Sequence, residues 1–191
     1  KMLPMRFSDV SSTLGQYVEQ LQKEVRNERK TAEEQHKLLD GRAYQLASDP
    51  LHPIAPPERL SAVPEVDLSP LDTAAKRLKE SVDAYKQAYK AREAAGLNIP
   101  ATQLEQVNRM LATLPRLLLN PPGLPGRSWY KNVITAPGVY TGYGAKTLPA
   151  VQEALDARDW AGAERGAAMT AHVLDGYRVQ LDKLTAILSS K

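Results

Sequence analysis

Residues 159–188 read DWAGAERGAAMTAHVLDGYRVQLDKLTAIL, and this stretch decides the fold class. Asp159 has the short carboxylate that caps a helix start. Behind it Trp160, Ala163, Ala167, Ala171, Leu174, Tyr177, Leu181, Leu184 and Leu188 recur at three- and four-residue spacing, the signature of one apolar helix face. No proline interrupts the run. Ala161, Gly162, Ala163, Gly166, Ala167, Ala168 and Ala171 are small enough to let another helix approach closely, either from the same chain or from a partner.

Working outward, the same periodicity recurs. Val10, Leu14, Tyr17, Val18, Leu21 and Val25 mark a helix that Ser8 or Asp9 is expected to cap. A polar stretch with Ala32, His36, Leu39, Ala43 and Leu46 continues it, as one long helix or two in series ending near Ser48. Ser69-Pro70-Leu71-Asp72 has the form of a helix start, with serine as the cap, proline in the first turn and an acid facing the positive end of the dipole. Leu71, Ala75, Leu78, Val82, Tyr85 and Tyr89 follow, with Gly96 as the expected C-terminal cap. Leu104, Val107, Leu111, Leu114 and Leu118 carry the next helix. Thr102 and Glu105 can form a capping box there, and Pro115 is expected to kink the helix. Thr147 is expected to cap a short helix through Leu155, with Pro149 in its first turn. The fold class is all-α, a four-helix-bundle-like domain over residues 1–191.

Two segments depart from helix. Residues 49–70 hold six of the 14 prolines, which excludes a regular helix and predicts an extended, partly anchored surface loop. Residues 120–146 form a long connection rich in Gly, Pro and aromatics. Trp129, Tyr130, Val133, Ile134, Tyr140 and Tyr143 argue for an ordered loop, and ordered loops of this length usually serve function.

Composition narrows the function. The chain has 191 residues, no cysteine, 25 basic and 22 acidic side chains, for a net charge of +3. Disulfide scaffolds and thiolate chemistry are excluded. The charge is evenly spread without a basic stripe, so no nucleic-acid partner is expected. No apolar run is long enough to span a bilayer, so no membrane partner is expected. The opening residues lack the apolar core of a signal peptide, and localisation stays undetermined, with an exported or periplasmic parent protein still open. His36, His52 and His172 lie far apart, without metal-ligand spacing, and the glycines of the long loop make no phosphate-binding motif. No catalytic residue stands out.

The long loop carries more. Asn120-Pro121-Pro122-Gly123-Leu124-Pro125-Gly126-Arg127-Ser128-Trp129-Tyr130-Lys131-Asn132-Val133-Ile134-Thr135-Ala136-Pro137 closely resembles the signature of the C-terminal helical domain of glutamate carboxypeptidase II and transferrin receptor relatives. That pattern runs D-P-x-G-L-P-x-R-x-[FW]-Y-[RK]-x-x-[IL]-x-A-P. Tyr143, Leu148-Pro149-Ala150-Val151 and the opening Leu3-Pro4-Met5-Arg6-Phe7 also match. The resemblance implies a transferrin-receptor-like dimerisation domain. Its partners would be a second subunit and the peptidase domain of its own chain, to whose substrate cleft it lends a loop. It also implies that zinc and its ligands belong to that peptidase domain and not to these residues, so this chain alone is expected to be inactive. The alternative is a free-standing helical interaction module without peptidase activity.

Within the loop, Gly123 and Gly126 are expected to supply turns, and Pro121, Pro122, Pro125 and Pro137 to stiffen it. Arg127 is expected to bind loop carbonyls or a carboxylate. Trp129 and Tyr130 are expected to be packing anchors. The resemblance places Tyr143 as substrate-lining in the parent enzyme. The lysine that precedes it in glutamate carboxypeptidase II is replaced by Gly142, so glutamate specificity does not carry over; Lys146 is the nearest alternative cation. The Arg-Gly-Asp stretch by which the transferrin receptor binds its ligand is absent, since Arg165-Gly166 is followed by Ala167.

Overall fold

The computed structural model describes residues 2–3, 7–49, 51–53, 55–97, 99–139 and 144–190. Among the described residues the fold is all-α apart from one small hairpin. Helices α1 (Ser8–Asp40) and α2 (Ala43–Leu46) are followed by α3 (Ser69–Ala94) and α4 (Ala101–Thr113), which runs into a 3-10 turn (Leu114–Leu118). Strands β1 (Thr135–Pro137) and β2 (Ala145–Thr147) then precede α5 (Pro149–Asp156) and α6 (Trp160–Ser189).

Helix α6 is the axis, and its expected stripe is its buried face. Ala163, Ala167, Leu174, Tyr177, Leu181, Leu184 and Leu188 all lie in the core. Helix α3 lies beside it in the same direction. The Asp67 N–H at the start of α3 donates to Glu164 Oε1 at 2.9 Å, and Arg92 at its far end donates to the Ser190 carbonyl. Helix α1 runs the opposite way along α3. Phe7 at its start sits edge-on to Tyr85 at 4.9 Å and to Tyr177 at 6.4 Å, whereas Arg29 reaches back to the Pro64 carbonyl. Leu14, Leu21, Leu71, Leu78, Leu111 and Leu114 fill the space between.

Several helix ends differ from the sequence expectation. Helix α1 starts at Ser8 with Phe7 in the capping position and no side-chain cap; burial of the Phe7 ring between two tyrosines, not Ser8 or Asp9, sets the entry. At α3 Leu68, not Ser69, takes the N-cap without a side-chain cap bond, and Asp67 before it accepts the Ser69 N–H at 2.9 Å. Hydrogen bonds from Ser69 hold the Asp67 carboxyl below its ordinary value. Pro100, which has no side-chain acceptor, occupies the N-cap of α4, so Thr102 and Glu105 form no capping box, and Glu105 instead pairs with Arg109 at 2.8 Å. Pro115 does not kink an α-helix but tightens the end of α4 into the 3-10 turn. Thr147 belongs to β2, and Leu148, at φ 46°, takes the cap of α5.

Other ends follow the sequence. The Asp159 carboxylate accepts the Gly162 N–H at 2.8 Å. Gly96, at φ 80°, closes α3 with the paired bonds Leu97 N–H to Arg92 and Gly96 N–H to Glu93, the Schellman arrangement. The break between α1 and α2 falls at Gly41-Arg42. In the proline-rich segment Asp49 pairs with His52, residues 55–68 have no regular secondary structure and are clipped to α1, and Ser69-Pro70 already belong to α3: Gln35 bonds both Glu58 and Leu60, and His36 Nε2 lies 2.7 Å from the Leu60 carbonyl.

The small residues of α6 divide between two faces. Ala163, Gly166, Ala167 and Ala171 are buried, and a β-carbon at Gly166 would lie 2.6 Å from the Ala150 carbonyl oxygen, so α5 closes on α6 at Gly166. Ala161, Ala168, Gly176, Val179 and Ala186 remain exposed.

Candidate functional site: a groove beside the aromatic loop

The loop after the 3-10 turn is built on its own backbone. Asn120 N–H donates to Lys131 at 2.7 Å, Leu124 N–H to Tyr130 at 2.7 Å, and Val133 N–H to Leu118 at 3.1 Å, so the segment leaves and returns as a laced excursion. Gly123 turns at φ 86°, and a β-carbon there would lie 2.2 Å from the Ser128 carbonyl oxygen, so only glycine fits. Gly126 also turns at positive φ, 72°. The Asn120 side chain donates to the Gly123 carbonyl at 2.7 Å, with Met169 Sδ at 3.0 Å. Asn132 Oδ1 accepts the N–H groups of Ile134 and Thr135, which starts β1.

Strands β1 and β2 pair antiparallel, Thr135 against Thr147 and Pro137 against Ala145. This hairpin has no counterpart in the sequence expectation. It is closed on one side by Gly138 N–H to Gly144 at 2.9 Å and on the other by Leu148 N–H to Ile134 at 2.8 Å.

Arg127 ties these parts together. It is 6% exposed. Its guanidinium donates to the Pro137 carbonyl at the end of β1 and to Glu153 Oε1 on α5, and it lies over the Tyr130 ring at 5.1 Å. Arg127 thus binds a loop carbonyl and a carboxylate together. Charge-assisted bonds of this kind are strong where water is excluded. In the sequence, Glu153 is one acid among 22, and nothing there marks it as a site residue.

Trp129 corrects the sequence expectation. Its side chain is 74% exposed and anchors nothing. The loop is held instead by Leu124, Val133, Ala136 and Arg127, all buried, which leaves the turn at 128–130 free to project its rings. Tyr130 is 36% exposed, and its ring face meets the Arg127 guanidinium. Lys146 is engaged elsewhere, 2.8 Å from Asp156 on α5, and that carboxylate holds its ammonium above the ordinary value. Tyr143 and Gly142 lie outside the described residues.

Between this loop, α5 and the first turns of α6 lies a groove of about 920 Å³. Pro125, Trp129, Pro137 and Val139 form one wall, and Ala154, Arg165 and Met169 are on the other. The exposed rings of Trp129 and Tyr130 and the exposed Val139 give it an apolar lip. Arg127, Glu153, Asp159 and Arg165 add charged groups to its lining. Among the described residues, no three His, Asp or Glu side chains come together to hold a metal ion. No helix among the described residues is long and apolar enough to cross a membrane.

A helical domain whose laced Gly-Pro-aromatic loop is clamped by a buried arginine is the class these features define. The sequence model of the transferrin receptor-like dimerisation domain matches residues 66–182, more than half of the chain, and the chain belongs to that family. It is 36% identical over 86 residues to "Probable glutamate carboxypeptidase LAMP1" of Arabidopsis thaliana, covering 45% of this chain and 11% of that protein. It is 33% identical over 98 residues to "Probable glutamate carboxypeptidase" of Arthroderma benhamiae, covering 51% of this chain and 13% of that protein. The aligned part is thus a small fraction of the length of these relatives.

Proposed function

We propose that this chain is the helical assembly domain of a glutamate carboxypeptidase-like zinc exopeptidase, that it mediates homodimerisation, and that its loop at 120–146 lines the substrate cleft of the parent enzyme. The observation that carries the reading is the family match over residues 66–182, which contains the whole clamped loop and the groove beside it. The names of the two relatives support a peptidase parent. In that parent, zinc and the bond-breaking groups reside in the peptidase domain, and this chain supplies shape and assembly.

The two surfaces suit two roles. The groove and its exposed aromatic lip suit the peptidase domain of the same parent. The exposed face of α6 carries Ala161, Ala168, Gly176, Val179 and Ala186 between the longer Arg165, His172 and Lys183, and it is the surface for a second subunit, because small side chains let backbones approach closely. Light scattering of the chain over a concentration series tests the assembly role. A species at twice 21.0 kDa that Val179→Arg dissociates is the expected result. A strict monomer at every concentration refutes the bundle as a self-sufficient assembly surface.

A further inference from the structure

We propose that Arg127 is a positioning residue for the parent's reaction, setting the placement of the β1–β2 hairpin relative to the helical bundle. This rests on the reading that the loop lines the substrate cleft. Three observations converge on it. First, the hairpin has only three paired residues per strand and is too short to hold its own orientation. Second, apart from the buried Ala136, which clusters with Leu124, Ala150 of α5 and Met169 of α6, its ties to the bundle are few and specific. Leu148 continues directly into α5, Lys146 reaches Asp156, and Arg127 bridges the end of β1 to Glu153. The Lys146 pair is partly exposed and salt-screened, whereas the Arg127–Glu153 pair is buried. Third, Arg127 belongs to neither partner: it comes from the aromatic loop, so one guanidinium fastens loop, hairpin and α5 to one another.

Arg127 also holds a buried Nε–H without an acceptor. The fork is oriented by the Pro137 carbonyl and Glu153. The consequence is directional. Loss of the fork should free the β1 end of the hairpin while the leucine core, which Arg127 does not touch, stays intact.

The test uses Arg127→Met, Arg127→Lys and Glu153→Gln. In this chain, amide exchange is read at Gly138 and Leu148, which close the hairpin, and at Leu174 and Leu181 in α6. Exchange about ten- to a hundredfold faster at Gly138 in Arg127→Met is expected, with α6 unchanged and partial rescue by Arg127→Lys, which keeps the charge but not the planar fork. Equal acceleration in α6, or none at Gly138, overturns the proposal. Glu153→Gln, which keeps the shape of the clamp, answers the same question if Arg127→Met does not fold. In the full-length peptidase, Arg127→Met should lower kcat/KM, with Tyr143→Phe assayed beside it. If Tyr143→Phe lowers kcat/KM and Arg127→Met does not, the positioning role falls and the cleft reading stands. If neither changes it, the cleft reading itself falls.

Discussion

Gly166 and Gly15 are both interior helix glycines, yet a methyl group should act on them in opposite directions. Helix propensity alone favours alanine over glycine by about 0.8–1.0 kcal/mol at either position. A β-carbon at Gly15 meets nothing within 4 Å, so Gly15→Ala should gain that amount in full. A β-carbon at Gly166 would lie 2.6 Å from the Ala150 carbonyl oxygen, 2.8 Å from its carbon and 3.2 Å from the Val151 nitrogen. These are backbone atoms in the first turn of α5, and they cannot rotate away. Overpacking of this kind costs about 1–3 kcal/mol. Gly166→Ala should therefore lie about 1–3 kcal/mol below Gly15→Ala, net neutral to destabilising by about 2 kcal/mol. For a chain of this size about 1 kcal/mol moves the melting temperature by 2–4 °C. Calorimetry and urea unfolding, at one fixed protein concentration so that association does not contribute, should show Gly15→Ala melting higher than the wild type and Gly166→Ala not. Equal stabilisation by both would refute the close approach of α5 to α6.

Trp129→Ala should change stability by no more than about 0.5 kcal/mol, because its side chain is exposed; a loss of about 3–5 kcal/mol would show a buried ring. Burial pushes the phenols of Tyr85 and Tyr177 from their ordinary 10.0 up to about 12, with Tyr89 adding to the effect at Tyr85. Because the folded value is the higher one, their contribution to stability is complete below pH 10 and lost as pH rises toward 12. Ultraviolet titration should show two of the eight tyrosines ionising late and together with loss of helix; all eight titrating in one step with the helices intact would contradict their burial.

The helices are legible in the sequence because periodicity is a local property. The stripe from Ala163 to Leu188 marks the buried face of α6 by spacing alone, and Asp159 and Gly96 mark ends whose chemistry lies within a few residues. The caps that depart from the local pattern are those where a distant contact wins. Phe7 is drawn in by Tyr85 and Tyr177, and Thr147 is taken by a strand that pairs it with Thr135. The candidate site is legible as a motif and not as a geometry. Gly123 and Gly126 turn the chain as their residue type suggests, but nothing local says that Arg127 meets Glu153, 26 residues on, or that Trp129 faces outward.

By itself the sequence determined the helical class and the position of the two irregular segments, since both depend on spacing along the chain, and its motif at 120–137 carried the resemblance to the family. Only the tertiary structure decided which small residues of α6 are buried and which remain exposed, and where the groove lies. It also decided that a buried guanidinium, and not an aromatic ring, holds the loop. Those outcomes depend on which surfaces meet after the chain has crossed itself, and burial, unlike periodicity, is a property of the meeting and not of the segment.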